Sequence, residues 1–382
     1  MGRYRVMERG KAKVTRAIFK KGSALTRRIN GILKANNIAY DYNPLISRAY
    51  NGEGFYVDSV KLSCNKPIKT YGYDIHWCYG GALFGNYYPL TSRVSRKNET
   101  SLYIMMIEFE SIEERYKDFN YTLYRNCIIN LENTKAIIMT NVDYVIFTDM
   151  YIIKGMKVVD KTYFQDIGTL PEEVKELAKK VYELKKKGLN KEEKIVLESS
   201  FYGKFAQKMN KHKYGTFRQR KKYEKAFAKT GYEEVRDERT PIAMYQAAYQ
   251  RLREYLTFKR LMDDILYMNT DSVMCEKDPK IPTGEKIGDW GKEYDGNPIY
   301  YIRRNAYIVF DNNGKILKKV IGGIPMPEDN EKIKKMKLNR IDDKSIKKLQ
   351  NGESLEMYMI DDKSKTGFRK TTLSPLFYYY GS

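Results

Sequence analysis

Two aspartates in this sequence stand at the expected ends of apolar strands. Asp74 closes the run "YGYDI", and Asp271 lies in "YMNTDSV", which predicts the tip of a β-hairpin. Carboxylate oxygens are the ligands that Mg²⁺ prefers, and carboxylates from separate strands can hold two metal ions about 4 Å apart for phosphoryl transfer. An aspartate at a strand end is also a common turn former, so each motif by itself allows a structural interpretation.

Between these two motifs the sequence predicts a helical hairpin with a basic face. Pro171 opens the helical run, and residues 188–190, Gly-Leu-Asn, interrupt it. Lys191 and Lys194 follow at a spacing of three residues, which places both on one helix face. Such a pair can hold a triphosphate through its point charges, and a solvated helix face is the alternative interpretation.

The remaining elements predict an α+β fold. The run "PIAMYQAAYQRLREYLTFKRLMDDI" predicts a helix that leads directly into the hairpin, and "YYIRRNAYIVF" predicts a short strand pair. The runs "SLYIMMIEFESI", "KAIIMT" and "DYVIFTDMYIIKGMKVV" are rich in strand-forming residues and predict consecutive strands. Strands and helices in this order are typical of an α+β protein.

The charge of the chain indicates a polyanionic partner. The 382 residues carry 70 lysines and arginines against 48 acidic residues, a formal net charge of +22. Residues 1–49 contribute twelve of the basic side chains and only two acidic ones. Nucleic acid is the natural partner of such a surface, and the 34 tyrosines offer rings that stack on bases. A membrane-surface or ribosome-associated protein is the alternative.

Composition excludes several other classes. The chain is 42% hydrophobic, as in a folded protein, and no apolar run is long enough to span a bilayer. The four cysteines are scattered without a C-x-x-C pair, and the two histidines argue against histidine metal sites and a Ser-His-Asp triad. The basic N-terminus has no apolar segment behind it, so we expect a cytoplasmic protein, in the host cytoplasm if it is viral.

The order of the motifs resembles the protein-primed family B DNA polymerases of phages and linear plasmids, over roughly residues 45–382. "YDIHWCYGGAL" is similar to their first palm motif, in which an aspartate binds metal and a tyrosine five residues later packs under the sugar; Asp74 and Tyr79 match. "YMNTDSV" is similar to the third motif, Tyr-x-Asp-Thr-Asp-Ser. The resemblance therefore implies that Asp74 and Asp271 are the metal ligands.

Three further motifs imply nucleotide and DNA contacts. "SSFYGKF" resembles the fingers motif Asn-Ser-x-Tyr-Gly, "YIRRNAY" resembles the Lys-x-Tyr motif that holds the primer, and "AYNGEGF" resembles the Tyr-x-Gly-Gly turn that contacts the template. With the two fingers lysines, the implied nucleotide-binding residues are Tyr79, Lys191, Lys194, Ser199 and Tyr202. The implied DNA-binding residues are Tyr50, Gly52, Ser200, Gly203, Arg304 and Tyr307.

The sequence departs from the family pattern at charged positions. Asn269 replaces the first aspartate of the third motif, which keeps an oxygen that can assist catalysis but removes one negative charge. Ile195 occupies the place of the fingers lysine, and Asn305 replaces the lysine of Lys-x-Tyr. Only 49 residues precede Tyr50, too few for an exonuclease module, so we expect no proofreading.

The resemblance implies a right-hand fold with palm, fingers and thumb around an antiparallel palm sheet. The expected regions are a basic arm (1–49), the first part of the palm (50–94), an insertion of the type that contacts a primer protein (95–168), the fingers (169–206), a second insertion (207–235), the second part of the palm (236–326) and a thumb-like region (327–382).

The expected function is DNA-directed DNA synthesis with two Mg²⁺ or Mn²⁺ ions per site. The expected partners are template and primer DNA, dNTPs and a terminal protein primer, with no membrane. The alternative is a weakened or inactive homologue that binds nucleic acid as a replication or packaging accessory, because three charge-bearing positions differ from the family.

Overall fold

The structure is a computed structural model. It describes residues 24–38, 49, 55–57, 59–62, 66–116, 124, 127–186, 201, 205, 241–328, 331–360 and 367–375. The strands are β1 (Phe55–Val57), β2 (Ile68–Ile75), β3 (Tyr88–Pro89), β4 (Val94–Ser95), β5 (Tyr103–Phe109), β6 (Ser111–Glu114), β7 (Ile129–Asn130), β8 (Lys135–Thr140), β9 (Tyr151–Lys154), β10 (Lys157–Phe164), β11 (Ile167–Gly168), β12 (Ile265–Asn269), β13 (Ser272–Cys275), β14 (Trp290–Arg303), β15 (Ala306–Phe310), β16 (Ile316–Ile321), β17 (Leu355–Ile360) and β18 (Phe368–Leu373). The helices are α1 (24–35), α2 (Ser59–Leu62), α3 (Cys78–Gly81), α4 (Asn141–Met150), α5 (Glu172–Lys186), α6 (Pro241–Leu261), α7 (Glu331–Lys335) and α8 (Asp343–Gln350), with a 3₁₀ turn at Met262–Asp264.

The largest sheet has seven antiparallel strands in the order β1-β12-β13-β2-β14-β15-β16. Strand β2 lies in the middle, between β13 and β14, so both predicted aspartate motifs belong to one sheet. The predicted hairpins at "YMNTDSV" and "YIRRNAY" are present as β12–β13 and β14–β15. Antiparallel sheets combined with separate helices confirm the predicted α+β class.

The two faces of this sheet bury different clusters because side chains alternate along each strand. On the face that carries Tyr73, the cluster includes Val273 and the rings of Tyr255 and Phe258 from α6. On the opposite face, the ring of Tyr294 packs so closely on Gly72 that a Cβ there would overlap it. We call this second face the front face; Asp74, two residues from Gly72, lies on it.

Helix α6 supports the sheet and its neighbours through buried polar side chains. Gln246 donates to the carbonyl of Tyr79, and Gln250 Nε2 donates to the carbonyl of Thr270 at 2.9 Å. The Arg251 guanidinium forms hydrogen bonds of 2.7 and 2.9 Å with the Asp143 carboxylate. One helix therefore contacts the segment after Asp74, the hairpin turn and the region of 95–168.

Residues 95–168 form a five-stranded sheet, β4-β10-β5-β8-β7, together with α4. The prediction of continuous strands through "DYVIFTDM" is wrong, because residues 141–150 are helical. Thr140 caps this helix by accepting from the Asp143 N–H at 3.1 Å, and Asp143 is fully buried in its first turn. The capping interaction and the buried ion pair with Arg251 outweigh the strand preference of the β-branched residues.

Of the predicted fingers region (169–206), the structure describes the first helix and two single residues of the second part. Helix α5 begins one residue after Pro171, as predicted, and its Val174, Ala178 and Val181 are buried. The rest of the second part and the predicted second insertion (207–235) lie outside the described residues, and the domain boundaries stay predictions. In the C-terminal part, Ile346 and Leu349 of α8 pack in one cluster with the back of β15 and β16.

Among the helices of the described part of the chain, none is both long and apolar enough to cross a membrane.

The Arg251–Asp143 pair gives a stability prediction. Both side chains are nearly inaccessible, at 2% and 0% exposure, so Arg251→Met leaves a buried carboxylate without its cation. We expect the free energy of unfolding to fall by about 3–5 kcal/mol, measured by urea denaturation. Lys259→Met, which breaks the exposed Lys259–Asp149 pair, is the matched control and should have a much smaller effect; equal losses would contradict the assignment.

Candidate active site

The pairing of β2 with β13 brings the two predicted metal ligands together. Asp74 lies directly opposite Ser272, and the N–H of Ile75 donates to the carbonyl of Asp271 at 2.7 Å. Asp74 and Asp271 therefore flank the same backbone contact, although they are far apart in the sequence. Two carboxylates next to each other repel, so the local groups that face them determine whether both stay ionised.

The turn that presents Asp271 is tight and strained. Thr270 has a φ of 55°, a left-handed conformation that costs a β-branched residue about 1–3 kcal/mol. The Asp271 N–H donates to the carbonyl of Asn269 at 2.7 Å, and the Thr270 carbonyl accepts from Gln250 of α6. The backbone of the hairpin tip is thus fixed from behind by a buried glutamine.

A buried thiol faces the carboxylates. Cys78 opens α3, four residues after Asp74, and it hydrogen-bonds the side chain of Asp271. Burial raises the pKa of the Cys78 thiol well above its ordinary value, and the negative charges of Asp271 and Asp74 act in the same direction. The thiol therefore stays protonated and donates to Asp271. Sequence reasoning missed this residue; its spacing from Asp74 was the only signal.

Asn269 and Asn305, two of the positions that depart from the family pattern, contact each other. Asn269 Nδ2 donates to Asn305 Oδ1 at 2.9 Å, and the Tyr267 hydroxyl donates to the same oxygen at 3.0 Å. The Asn305 N–H in turn donates to the Tyr267 hydroxyl at 3.1 Å. A neutral amide pair therefore links the tip of the β12–β13 hairpin to the turn between β14 and β15.

The guanidinium of Arg304 occupies the other side of Asn269. Its Nη2 lies 3.4 Å from Asn269 Oδ1, so a cation already faces the oxygen that was predicted to assist catalysis. Carboxylate oxygens for Mg²⁺ or Mn²⁺ come from Asp74 and Asp271. No group of three or more histidine, cysteine or acidic side chains in the described parts of the chain could hold a metal ion. The assisting role of Asn269 stays a prediction.

Tyr307, the predicted primer contact, belongs to a tyrosine cluster on the front face. Its ring centroid lies 6.1–6.5 Å from those of Tyr267, Tyr294 and Tyr301, and its hydroxyl lies 3.4 Å from that of Tyr294. Burial raises the pKa of Tyr307 above its ordinary value, so its hydroxyl stays protonated at neutral pH. The ring is part of the core, and its contact with DNA stays a prediction.

Lys318 supplies a cation on the front face that sequence reasoning missed. Its Nζ lies 2.5 Å from Glu293 Oε1 and 3.1 Å from the Tyr294 hydroxyl. Burial opposes its charge, but the hydrogen bond to Glu293 and the negative charges of Glu293 and Asp74 outweigh this effect, and the pKa of Lys318 is raised. It pairs with Val309 across β15–β16; no local motif marked it.

His76 is a second side chain that lies close to Asp74 without having been predicted. Gly291 is the β14 residue directly opposite Asp74, and a Cβ at Gly291 would lie 2.6 Å from His76 Cε1. The imidazole therefore covers the strand next to the carboxylate, and only glycine leaves room for it.

On the other face of β2, a charged network holds the strand that carries Asp74. The Tyr73 hydroxyl donates to Asp278 at 2.6 Å, and Lys292 Nζ donates to the same carboxylate at 3.1 Å. The hydrogen bonds from Tyr73, the backbone of Lys280 and Lys292 lower the pKa of Asp278 to about 2. The Asp278 carboxylate is therefore ionised at neutral pH and anchors β2 to β14.

The fingers motif is partly described and lies beside the first palm motif. Phe201 of "SSFYGKF" is buried, and its ring lies edge-on to Trp77 with centroids 5.4 Å apart. Tyr79, two residues beyond Trp77, is held through its carbonyl by Gln246. The remaining predicted residues lie outside the described residues: Tyr50, Gly52, Lys191, Lys194, Ser199, Ser200, Tyr202 and Gly203.

The fold is similar to solved structures of phi29 DNA polymerase. For the complex with primer-template DNA and incoming nucleotide the TM-score is 0.62 at 16% identity, covering 96% of this chain and 70% of that chain. For the complex with single-stranded DNA the TM-score is 0.60 at 18% identity, covering 91% of this chain and 66% of that chain. For the post-translocation binary complex with primer-template DNA the TM-score is 0.59 at 17% identity, covering 95% of this chain and 70% of that chain.

The chain has a DNA polymerase fold. This confirms the predicted right-hand architecture, with the seven-stranded sheet as the antiparallel palm. No protein-family model matches the sequence, and no curated protein matches it. At identities of 16–18% the likeness is one of fold. Asp74 lies on β2 of this sheet, and Asp271 lies in the turn that leads into the neighbouring strand β13.

The amide pair in the palm gives a coupling prediction. Asn269→Asp replaces the donor that faces Asn305 Oδ1 with an acceptor, whereas Asn305→Lys supplies a cation at that point. We expect the free energy of unfolding of the double variant to exceed, by about 0.5–3 kcal/mol, the value obtained by adding the effects of the two single substitutions. The free energies of unfolding of the four proteins measure this coupling. Strictly additive effects would mean that the two side chains do not interact.

Proposed function

We propose that this chain is a DNA-directed DNA polymerase of the protein-primed family B type. The observation that carries the proposal is the β2–β13 pairing, which sets Asp74 beside Asp271 on the palm of a polymerase fold. Two carboxylates, one on a strand and one in the turn next to it, are the kind of donor set that nucleotidyl transfer with two divalent ions uses.

The donor chemistry fits Mg²⁺ or Mn²⁺, with Asp74 and Asp271 as the residues that would hold them. When bound, such ions lower the pKa of the attacking 3′-hydroxyl and neutralise the charge of the transferred phosphate. The chain's own residues set up this site. Cys78 orients the Asp271 carboxylate through its S–H, and the buried Gln250 fixes the turn from which that carboxylate projects.

Nucleotide and DNA binding are assigned from the family resemblance. Tyr79 would pack under the sugar of the incoming nucleotide, close to the fingers segment that Phe201 brings against Trp77. Lys191, Lys194, Ser199 and Tyr202 would bind the rest of the nucleotide. Template and primer would contact Tyr50, Gly52, Ser200, Gly203, Arg304 and Tyr307.

Protein priming is the finer part of the proposal. Its support is a second sheet of five strands, which lies where the resemblance predicts the insertion that contacts a terminal protein. The buried Arg251–Asp143 pair holds this region on α6. A terminal protein whose hydroxyl starts the new strand is the partner that this interpretation requires.

Primer extension tests the polymerase proposal. With a DNA hairpin, four dNTPs and Mg²⁺ or Mn²⁺, we expect the wild type to extend the primer and Asp74→Asn to lose extension, because one metal-binding charge is removed. Binding of the same hairpin in EDTA should stay nearly unchanged in Asp74→Asn and serves as the control. Full extension by Asp74→Asn would overturn the assignment of this carboxylate.

A nucleic-acid-binding accessory is the second candidate, and the Arg304 guanidinium beside Asn269 is the observation that favours it. In this case a cation occupies the place of a third acidic group. The accessory would bind DNA with a steep dependence on salt and would incorporate no nucleotide with either metal. Extension by the wild type excludes it; silence of both the wild type and Asn269→Asp, together with tight DNA binding, supports it.

Lys318 is expected to act on the primer side of the site. It lies on the front face with Tyr307 and contributes a hydrogen bond to Tyr294. Because the charge of Lys318 interacts with that of Asp74, Lys318→Met should lower kcat/KM for primer extension several-fold. Lys319→Met is the matched control, since Lys319 is paired with Glu328 on the other face. Equal losses in both variants would contradict a specific role.

A further inference from the structure

A groove runs along α6 outside the carboxylate site. Its volume is about 510 Å³. One wall is formed by α6, and the other includes Gly81, Ala82, Phe84 and Asn86 at and after the end of α3. The side chains that matter for its chemistry are Phe84, Asn86, Tyr249, Arg253, Leu256 and Arg260. None of these six side chains belongs to the candidate active site.

Two arginines line one wall of this groove. Arg253 and Arg260 are seven residues apart, two turns of α6, so they share one helix face. Among the residues that the structure describes, no carboxylate lies within ion-pairing distance of either guanidinium. Arg253 lies over the ring of Trp290, 5.6 Å from its centroid. Two cations on one wall of a groove favour an anionic ligand.

Burial makes the charge of Arg253 costly in the protein alone. Desolvation lowers its pKa from the ordinary value, and the negative charge of Asp289 offsets only part of this effect. Asp289 Oδ2 accepts from the N–H of Lys286 at 2.9 Å, so this carboxylate already has a hydrogen-bond partner. A phosphate in the groove would give this half-buried guanidinium an acceptor that no carboxylate of the described residues supplies.

Aromatic and apolar side chains alternate with these cations. Tyr249 is held in place because its hydroxyl donates to the carbonyl of Tyr87 at 2.7 Å. Lys179 of α5, which pairs with Glu176 and Glu172, lies 5.8 Å from the ring centroid of Phe84 at the edge of the groove. Leu256 is 57% exposed. Rings that stack bases beside cations that bind phosphates are the features of a site for single-stranded nucleic acid.

The groove is connected to the candidate active site through its walls. Two residues of the wall belong to the end of α3, the helix that carries Cys78 and Tyr79: Gly81 is its last residue, and Ala82 follows it. Gln250, also in the wall, holds the carbonyl of Thr270 next to Asp271.

We propose that this groove binds a single strand of nucleic acid, with Arg253 and Arg260 on its phosphates and with Phe84 and Tyr249 against its bases.

Site-specific photo-crosslinking locates the strand. Leu256 is replaced by p-benzoylphenylalanine in the full chain, and Leu317 on β16, which is also 57% exposed, receives the same group as a control. The probes are a labelled duplex with a single-stranded extension and the same duplex with blunt ends, both in EDTA without nucleotides. We expect crosslinking at 256 only, several-fold stronger for the extended duplex. Equal yields for both probes, or at both positions, would overturn the proposal.

Salt dependence tests the arginines independently. For a single strand each phosphate contact contributes about 0.7 to the slope of log K against log salt. Arg253→Gln with Arg260→Gln should therefore reduce the slope for the extended duplex by roughly 1.4 and leave the blunt duplex unchanged. Lys347→Gln with Lys348→Gln, two exposed positions of α8, is the charge-matched control and should show no loss specific to the single strand.

Two further outcomes are decisive. If the double variant does not fold, Arg260→Gln alone should lower the slope by roughly 0.7 and weaken crosslinking at 256; no change in either would overturn the proposal. Loss of the crosslink on addition of millimolar dNTP without metal would assign the groove to a mononucleotide instead of a strand. Both experiments work without catalysis, so inactivity in primer extension would leave their results interpretable.

Discussion

The hydrogen-bonded pairing of β2 with β13 is the constraint on which the candidate active site depends. It sets Asp74 against the hairpin tip that carries Asp271, and it thereby places two negative charges side by side. Such an arrangement is unfavourable unless nearby groups compensate it. The chain supplies a thiol donor from Cys78 and a cation from Lys318, and bound metal ions would provide the remaining positive charge.

Helix α6 converts this local pairing into a rigid scaffold. Its buried face carries four polar side chains, Gln246, Gln250, Arg251 and Glu254. Gln246 donates to the carbonyl of Tyr79, Gln250 to that of Thr270, and Arg251 to the Asp143 carboxylate. Buried polar groups are costly when they lack partners. The helix therefore fits in only one position relative to the first palm motif, the hairpin turn and the region of 95–168.

The pairing of Asn269 with Asn305 changes the meaning of two of the three departures from the family pattern. Taken separately, each asparagine removes one charged side chain from a site whose metal and DNA binding depend on charge. In the structure they form a single neutral contact, with the Tyr267 hydroxyl as a third member. The electrostatic change is thus local and balanced, and the two carboxylates that the proposal requires are unaffected by it.

The sequence by itself determined the elements whose signals are local. Alternating apolar residues and the turn at 269–271 marked the central hairpin, Pro171 marked the start of α5, and the motif order pointed to Asp74 and Asp271. Only the tertiary structure decided that 141–150 is a helix, because its buried Asp143 is held by Arg251, more than a hundred residues later in the chain. Cys78, Lys318 and the arginine groove also came from the structure alone, since each acquires its role from strands or helices that approach it only in the folded chain.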